Sequence, residues 1–127
     1  MNAIDHPAHY NAHPHGVECI ELAEQLPFCQ GNAVKYLWRA DHKGAQLEDL
    51  QKALWYVERA LDSAAATVVI DDGLKDDGHD PFARLLARAC AGFAPDVAQA
   101  IRAIAEGHLN IAAIAIRLLL AKAERAG

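Results

Sequence analysis

The chain has 127 residues, of which 53 % are apolar and only 6 % aromatic; alanine alone supplies 27, 15 of them within residues 81–127. That length holds one core rather than two, and an alanine-rich, aromatic-poor composition favours helices over a β-sandwich or barrel. A formal charge of −5 excludes a surface made to coat DNA non-specifically, which needs net basic charge, so any anion site has to be local.

Residues 1–16 contain two prolines and four of the seven histidines (His6, His9, His13 and His15) and read as a loop, without the basic region and apolar core of a secretory signal. A first helix is predicted over residues 17–25, where Val17, Ile20 and Leu22 give it an apolar side and Pro27 stops it. A second starts near Gly31 and Asn32, with Asn32 as cap, and runs to residue 40 before residues 42–44 break it. The third covers residues 46–60, with Leu47, Leu50, Leu54, Val57 and Leu61 forming a heptad-like stripe. Residues 63–80 carry one lysine against five aspartates and read as an acidic linker, with no calcium-loop spacing. Asp80 and Pro81 then cap and open a fourth helix (81–92); Pro95 opens a fifth (95–106), closed by Gly107; Asn110 caps a sixth (111–125).

These elements predict an all-α compact bundle of five or six helices. It divides into a helical domain over residues 1–62, the linker, and an alanine-rich assembly region over residues 81–127, within one compact unit. In the last helix Ile111, Ile114, Ile116, Leu118, Leu119 and Leu120 leave almost no polar face. A helix apolar all round needs cover on every side, and a short chain supplies that most readily by self-association, so a homo-oligomer through the C-terminal helices is expected. The apolar run 109–121, interrupted by Asn110 and Arg117, is too short to span a bilayer. Cys19, Cys29 and Cys90 are odd in number and never form a CxxC pair, which fits reduced thiols and a cytoplasmic location.

The stretch 28–59 carries the chemistry. Lys35, Arg39 and Lys43 recur at i, i+4, i+8, so a continuing helix would align them as one cationic stripe just after a helix N-terminus, a combination suited to phosphate. Five of the twelve basic residues lie between positions 35 and 59. Tyr36, Trp38, Trp55 and Tyr56 lie on the same two helices and could stack a base. The alternative is a solvated basic face paired with Glu48, Asp49 and Glu58, with the aromatics filling a core. Glu18, Glu21 and Glu24 share a helix face; Glu18 and Glu21 with Glu48 or Asp49 could hold Mg²⁺ if the protein is an enzyme, but the signal is weak and solvated carboxylates on a surface helix are the better reading of the spacing. No P-loop, dinucleotide-binding glycine motif or nucleophile elbow is present.

Several of these runs come in a familiar order: His6-Pro7-Ala8-His9-Tyr10, then Val17-Glu18-Cys19-Ile20-Glu21, then Phe28-Cys29-Gln30-Gly31-Asn32-Ala33-Val34-Lys35-Tyr36-Leu37-Trp38-Arg39-Ala40, then Lys43-Gly44 and residues 48–56. The series resembles a small helical domain of bacteriophages and prophages that also forms the C-terminal part of the P-loop-less nucleotide kinase of T-odd coliphages. It covers about residues 6–61. The resemblance implies nucleotide handling, with His9, Tyr10, Asn32, Lys35, Tyr36, Arg39, Lys43 and Lys52 as the matching polar positions. A fainter similarity links the E-x-x-E helix and residues 48–56 to all-α nucleotide pyrophosphatases, but Lys52 stands where such an enzyme places a metal-binding aspartate.

Three functions follow as expectations. The chain handles a small phosphorylated nucleotide as a nucleoside monophosphate kinase-like enzyme, its catalytic residues unassigned. Alternatively it is a non-enzymatic sponge for a nucleotide-derived immune signal, as an anti-defence protein would be. A pyrophosphatase-like activity or a protein-interaction module is the further alternative. All share a small ligand or partner, with no non-specific nucleic acid and no membrane.

Overall fold

The computed structural model describes residues 16–40, 46–64 and 80–126. Among these residues it contains six α-helices and no strand: α1 (Cys19–Ala23), α2 (Phe28–Ala40), α3 (Gln46–Ala64), α4 (Pro81–Ala91), α5 (Pro95–Ala105) and α6 (Leu109–Ala126). No described helix is long and apolar enough to cross a membrane.

The first helix is shorter than its apolar pattern suggested. Glu21 reaches back so that its carboxylate accepts from the Glu18 backbone N–H at 2.7 Å, closing a capping box that starts α1. The chain turns after Ala23, and α2 begins at Phe28, four residues before the expected cap Asn32. Pro27 is the reason: it lacks an N–H and is well tolerated at a helix start, and its carbonyl accepts from Gly31 N–H at 2.8 Å. Asn32 therefore lies inside the helix, where its Nδ2 donates to the Phe28 carbonyl at 2.9 Å, and the expected N-cap there is corrected.

Gly31 is where α2 crosses the end of α1. A Cβ at that position would come within 2.8 Å of the Ala23 carbonyl oxygen, so glycine is what lets the two backbones meet. From there α2 buries Ala33, Val34, Leu37, Trp38 and Ala40, a helical stripe laid chiefly against α3.

Helix α3 buries Leu50, Ala53, Val57 and Ala60. The predicted leucine stripe is thus rotated: Leu54 and Leu61 are half-buried, Leu47 is exposed, and Ala53 and Ala60 share the buried face with Leu50 and Val57. Helix α3 packs on both α2 and α6.

Asp80 caps α4 as expected, its Oδ1 accepting from Phe82 N–H at 2.9 Å, with Pro81 in the first turn. Of the expected linker, Ser63 and Ala64 belong to α3, Asp80 is this cap, and residues 65–79 lie outside the described residues. Helix α5 ends in a Schellman motif. Gly107, at φ +82°, lets His108 N–H donate to the Ala103 carbonyl at 2.8 Å and its own N–H to Ile104 at 3.2 Å. That turn delivers the chain into α6 at Leu109, so Asn110 sits in the first turn and is not the cap.

The two parts of the chain share one core. Val34, Leu37, Trp38, Leu50 and Val57 join Ile101, Ile104 and Ile116 in a single buried cluster. Trp38 meets Phe93 edge-on at 4.9 Å, and Gln30 Nε2 donates to the Ile104 carbonyl at 2.9 Å, tying α2 to α5. Within one chain the last helix is covered on one side only. Ala112, Ala113, Ala115, Ile116 and Leu119 are buried, whereas Ile111, Ile114 and Leu118 are 51, 57 and 66 % exposed.

Candidate functional site

Helices α2 and α3, the most extensively packed pair, bring together most of the residues that the sequence singled out. Tyr36 of α2 stacks on Tyr56 of α3 with ring centroids 5.8 Å apart and planes at 13°. Three cations surround the Tyr36 ring: Lys35 Nζ at 4.6 Å from its centroid, Lys52 Nζ at 5.4 Å and Arg39 Cζ at 5.9 Å. Lys35 and Arg39 share a face of α2 at i, i+4, while Lys52 and Tyr56 hold the same spacing on α3. The ring's negative face attracts each cation and keeps like charges in one place at modest cost.

Two of the three cations have carboxylate neighbours. Lys52 donates to Glu48 Oε1 at 3.0 Å along α3, and this hydrogen bond, with the Glu48 charge, holds the ammonium above the ordinary lysine range. Arg39 Nε lies 3.8 Å from Asp49 Oδ1. Asp49 is 1 % exposed, and its Oδ2 has no hydrogen-bond partner among the described residues. Lys35, half-buried, has no carboxylate within ion-pair distance among the described residues. Its charge is felt by Cys19, whose thiol burial pushes up to about 12 while Lys35 pulls the other way.

The paired-face reading thus holds for Glu48 and Asp49, while Glu58 turns to Arg117 of α6 at 3.2 Å. Lys43, His9 and Tyr10 lie outside the described residues. Asn32, bonded back to its own helix, does not offer the free N-terminal groups expected of a phosphate cradle.

The aromatic set changes by one member on each side. Trp38 is fully buried against Phe93 and belongs to the core, which removes it as a stacking residue. Phe28, not singled out by spacing, joins the site: it is 78 % exposed and meets Tyr56 edge-on at 6.4 Å. Trp55, 57 % exposed, meets the same ring edge-on at 5.0 Å. The signal for Phe28 was Pro27, which starts a helix as readily as it ends one.

The weak metal candidates are engaged elsewhere. Glu18 and Glu21 form the capping box, Glu48 holds Lys52 and Asp49 faces Arg39. Among the described residues no three His, Cys, Asp or Glu side chains come together in a metal-holding group. What the arrangement offers chemically is a cationic cluster bordered by exposed aromatic surface.

Residues 4–58 match the profile of a family described as protein of unknown function, DUF3310. The match takes in α1, α2, most of α3 and every member of the aromatic and cationic cluster. No curated protein and no solved structure matches the chain.

Proposed function

We propose that the chain binds a small phosphorylated nucleotide, its phosphate against Lys35, Arg39 and Lys52 and its base against the exposed rings of Phe28 or Trp55. The observation that supports this reading is the convergence of three cations, 4.6–5.9 Å from one tyrosine ring, in a protein whose overall charge is −5. Cations alone would suit many anions. Cations beside exposed aromatic faces suit a phosphate carrying a base, since stacking on such a ring contributes on the order of 1–3 kcal/mol per base.

In this reading the protein is a phage-type nucleotide binder working in the host cytoplasm. Kinase-like turnover rests on the resemblance to the P-loop-less enzyme, in which Lys35, Arg39 and Lys52 would neutralise the transferring phosphoryl group and Mg²⁺ would need oxygen ligands. The engagement of Glu18, Glu21, Glu48 and Asp49 in caps and ion pairs favours the sequestering alternative. A panel of linear and cyclic nucleotides, with and without Mg²⁺, distinguishes the two when thermal shift and product formation are followed together. Stabilisation without product is the expected result; product formation would move the protein to the enzymes. No shift with any nucleotide would overturn the proposal.

The same reading includes self-association through α6. Ile111, Ile114 and Leu118 recur at i, i+3, i+7 and are all exposed, an apolar stripe that a second copy of the helix would cover.

A further inference from the structure

Charge balance and ring count at the α2–α3 site narrow the ligand. Of the three cations around Tyr36, Lys52 is answered by Glu48 at 3.0 Å and Arg39 by Asp49 at 3.8 Å. Lys35 alone lacks a carboxylate partner among the described residues. Among the described residues the cluster therefore carries an excess of one positive charge.

A single excess charge suits a monoanion. A triphosphate would bring several negative charges beside Asp49, which is 1 % exposed and therefore poorly screened by water. A phosphodiester brings one. It also joins two nucleosides, and the site presents two exposed rings. Phe28 comes from the first turn of α2 and Trp55 from the middle of α3. Each makes an edge-to-face contact with Tyr56, at 72° and 86°, and at 78 and 57 % exposure each keeps ring surface open to a base. A mononucleotide would use one of these rings; two bases joined through one phosphate would use both.

Resting on the nucleotide-binding reading, we infer that the ligand is a pair of nucleosides linked by a phosphodiester, with the phosphate at Lys35 and one base on each of Phe28 and Trp55. A linear dinucleotide carries one such phosphodiester and a cyclic dinucleotide two; both present two bases joined through a phosphodiester.

Calorimetric titration of the full chain tests it, using a linear dinucleotide, a cyclic dinucleotide, the nucleoside monophosphate, the triphosphate and a twelve-residue DNA single strand, in each of the four bases. At least one dinucleotide binds about tenfold or more tightly than the matching monophosphate and triphosphate, as expected for a second stacked base. Which of the two binds identifies the source. Phe28→Ala and Trp55→Ala each reduce that affinity about tenfold, with circular dichroism unchanged because both side chains are exposed. A monophosphate or triphosphate that binds as tightly as both dinucleotides overturns this inference and leaves nucleotide binding standing. Tighter binding of the single strand than of either dinucleotide also overturns it, in favour of single-stranded DNA. No binding by any probe overturns both.

Discussion

Gly31 shows how one missing methyl group sets the site. Alanine there would gain roughly 1 kcal/mol of helix propensity, but its Cβ would stand 2.8 Å from the Ala23 carbonyl oxygen, a backbone atom that cannot swing aside. Overpacking of this kind costs roughly 1–3 kcal/mol, so Gly31→Ala should lose stability on balance. Chemical denaturation checks it: the midpoint falls, and a midpoint that rises would show that α1 can move off α2. The site residues were unevenly legible for related reasons. The i, i+4 spacing of Lys35 and Arg39 survives any small shift in helix boundaries, so their shared face could be read directly. Trp38 and Trp55 are the same residue type on neighbouring helices, and only the rotation of each helix decides that one is core and the other surface. That rotation comes from tertiary packing, which sets Trp38 against Phe93 between α4 and α5 and which residue spacing on α2 does not encode.

At the scale of elements, the helix ends were the most readable and the least uniform part. Asp80 with Pro81 is a local signal that needs no tertiary partner, and Asp80 caps α4 as its chemistry predicts. Pro27 is ambiguous, since a ring without an N–H fits both after one helix and before the next, and its second role moved the start of α2 to Phe28. Gly107 ends α5 with φ +82°, and through that turn it also aims α6, whose start at Leu109 precedes the capping signal of Asn110. The two ends predict comparable losses. Asp80→Ala removes the bond to Phe82 N–H and should lower stability by about 1 kcal/mol. Gly107→Ala forces a side chain into the left-handed region at a cost of roughly 1–2 kcal/mol. Thermal unfolding of the two variants reads both, and an unchanged midpoint for Gly107→Ala would mean that the turn is not what holds α6 in place.

Across the whole molecule, the division into a helical domain and an alanine-rich last region describes composition rather than separate bodies, because Trp38, Phe93, Ile104 and Ile116 share one core. The last helix is half satisfied by that core. Its alanines face inward and its large side chains Ile111, Ile114 and Leu118 remain outside, a distribution that the run of apolar residues could not reveal. Light scattering on the purified protein should accordingly give a mass above the 13.7 kDa of one chain. Leu118→Lys should restore the monomer without unfolding it, since that side chain is 66 % exposed; a monomeric wild type would contradict the self-association. The central claim is nucleotide binding at the cations around Tyr36, and Lys35 tests it most directly because no carboxylate partner among the described residues depends on it. Calorimetric titration of a nucleotide panel into wild-type protein and Lys35→Ala should show affinity falling about tenfold or more, the scale of one charge-assisted contact, at unchanged helical content. Equal affinity for the two proteins, or a Lys35→Ala chain that has lost its helices, would contradict it.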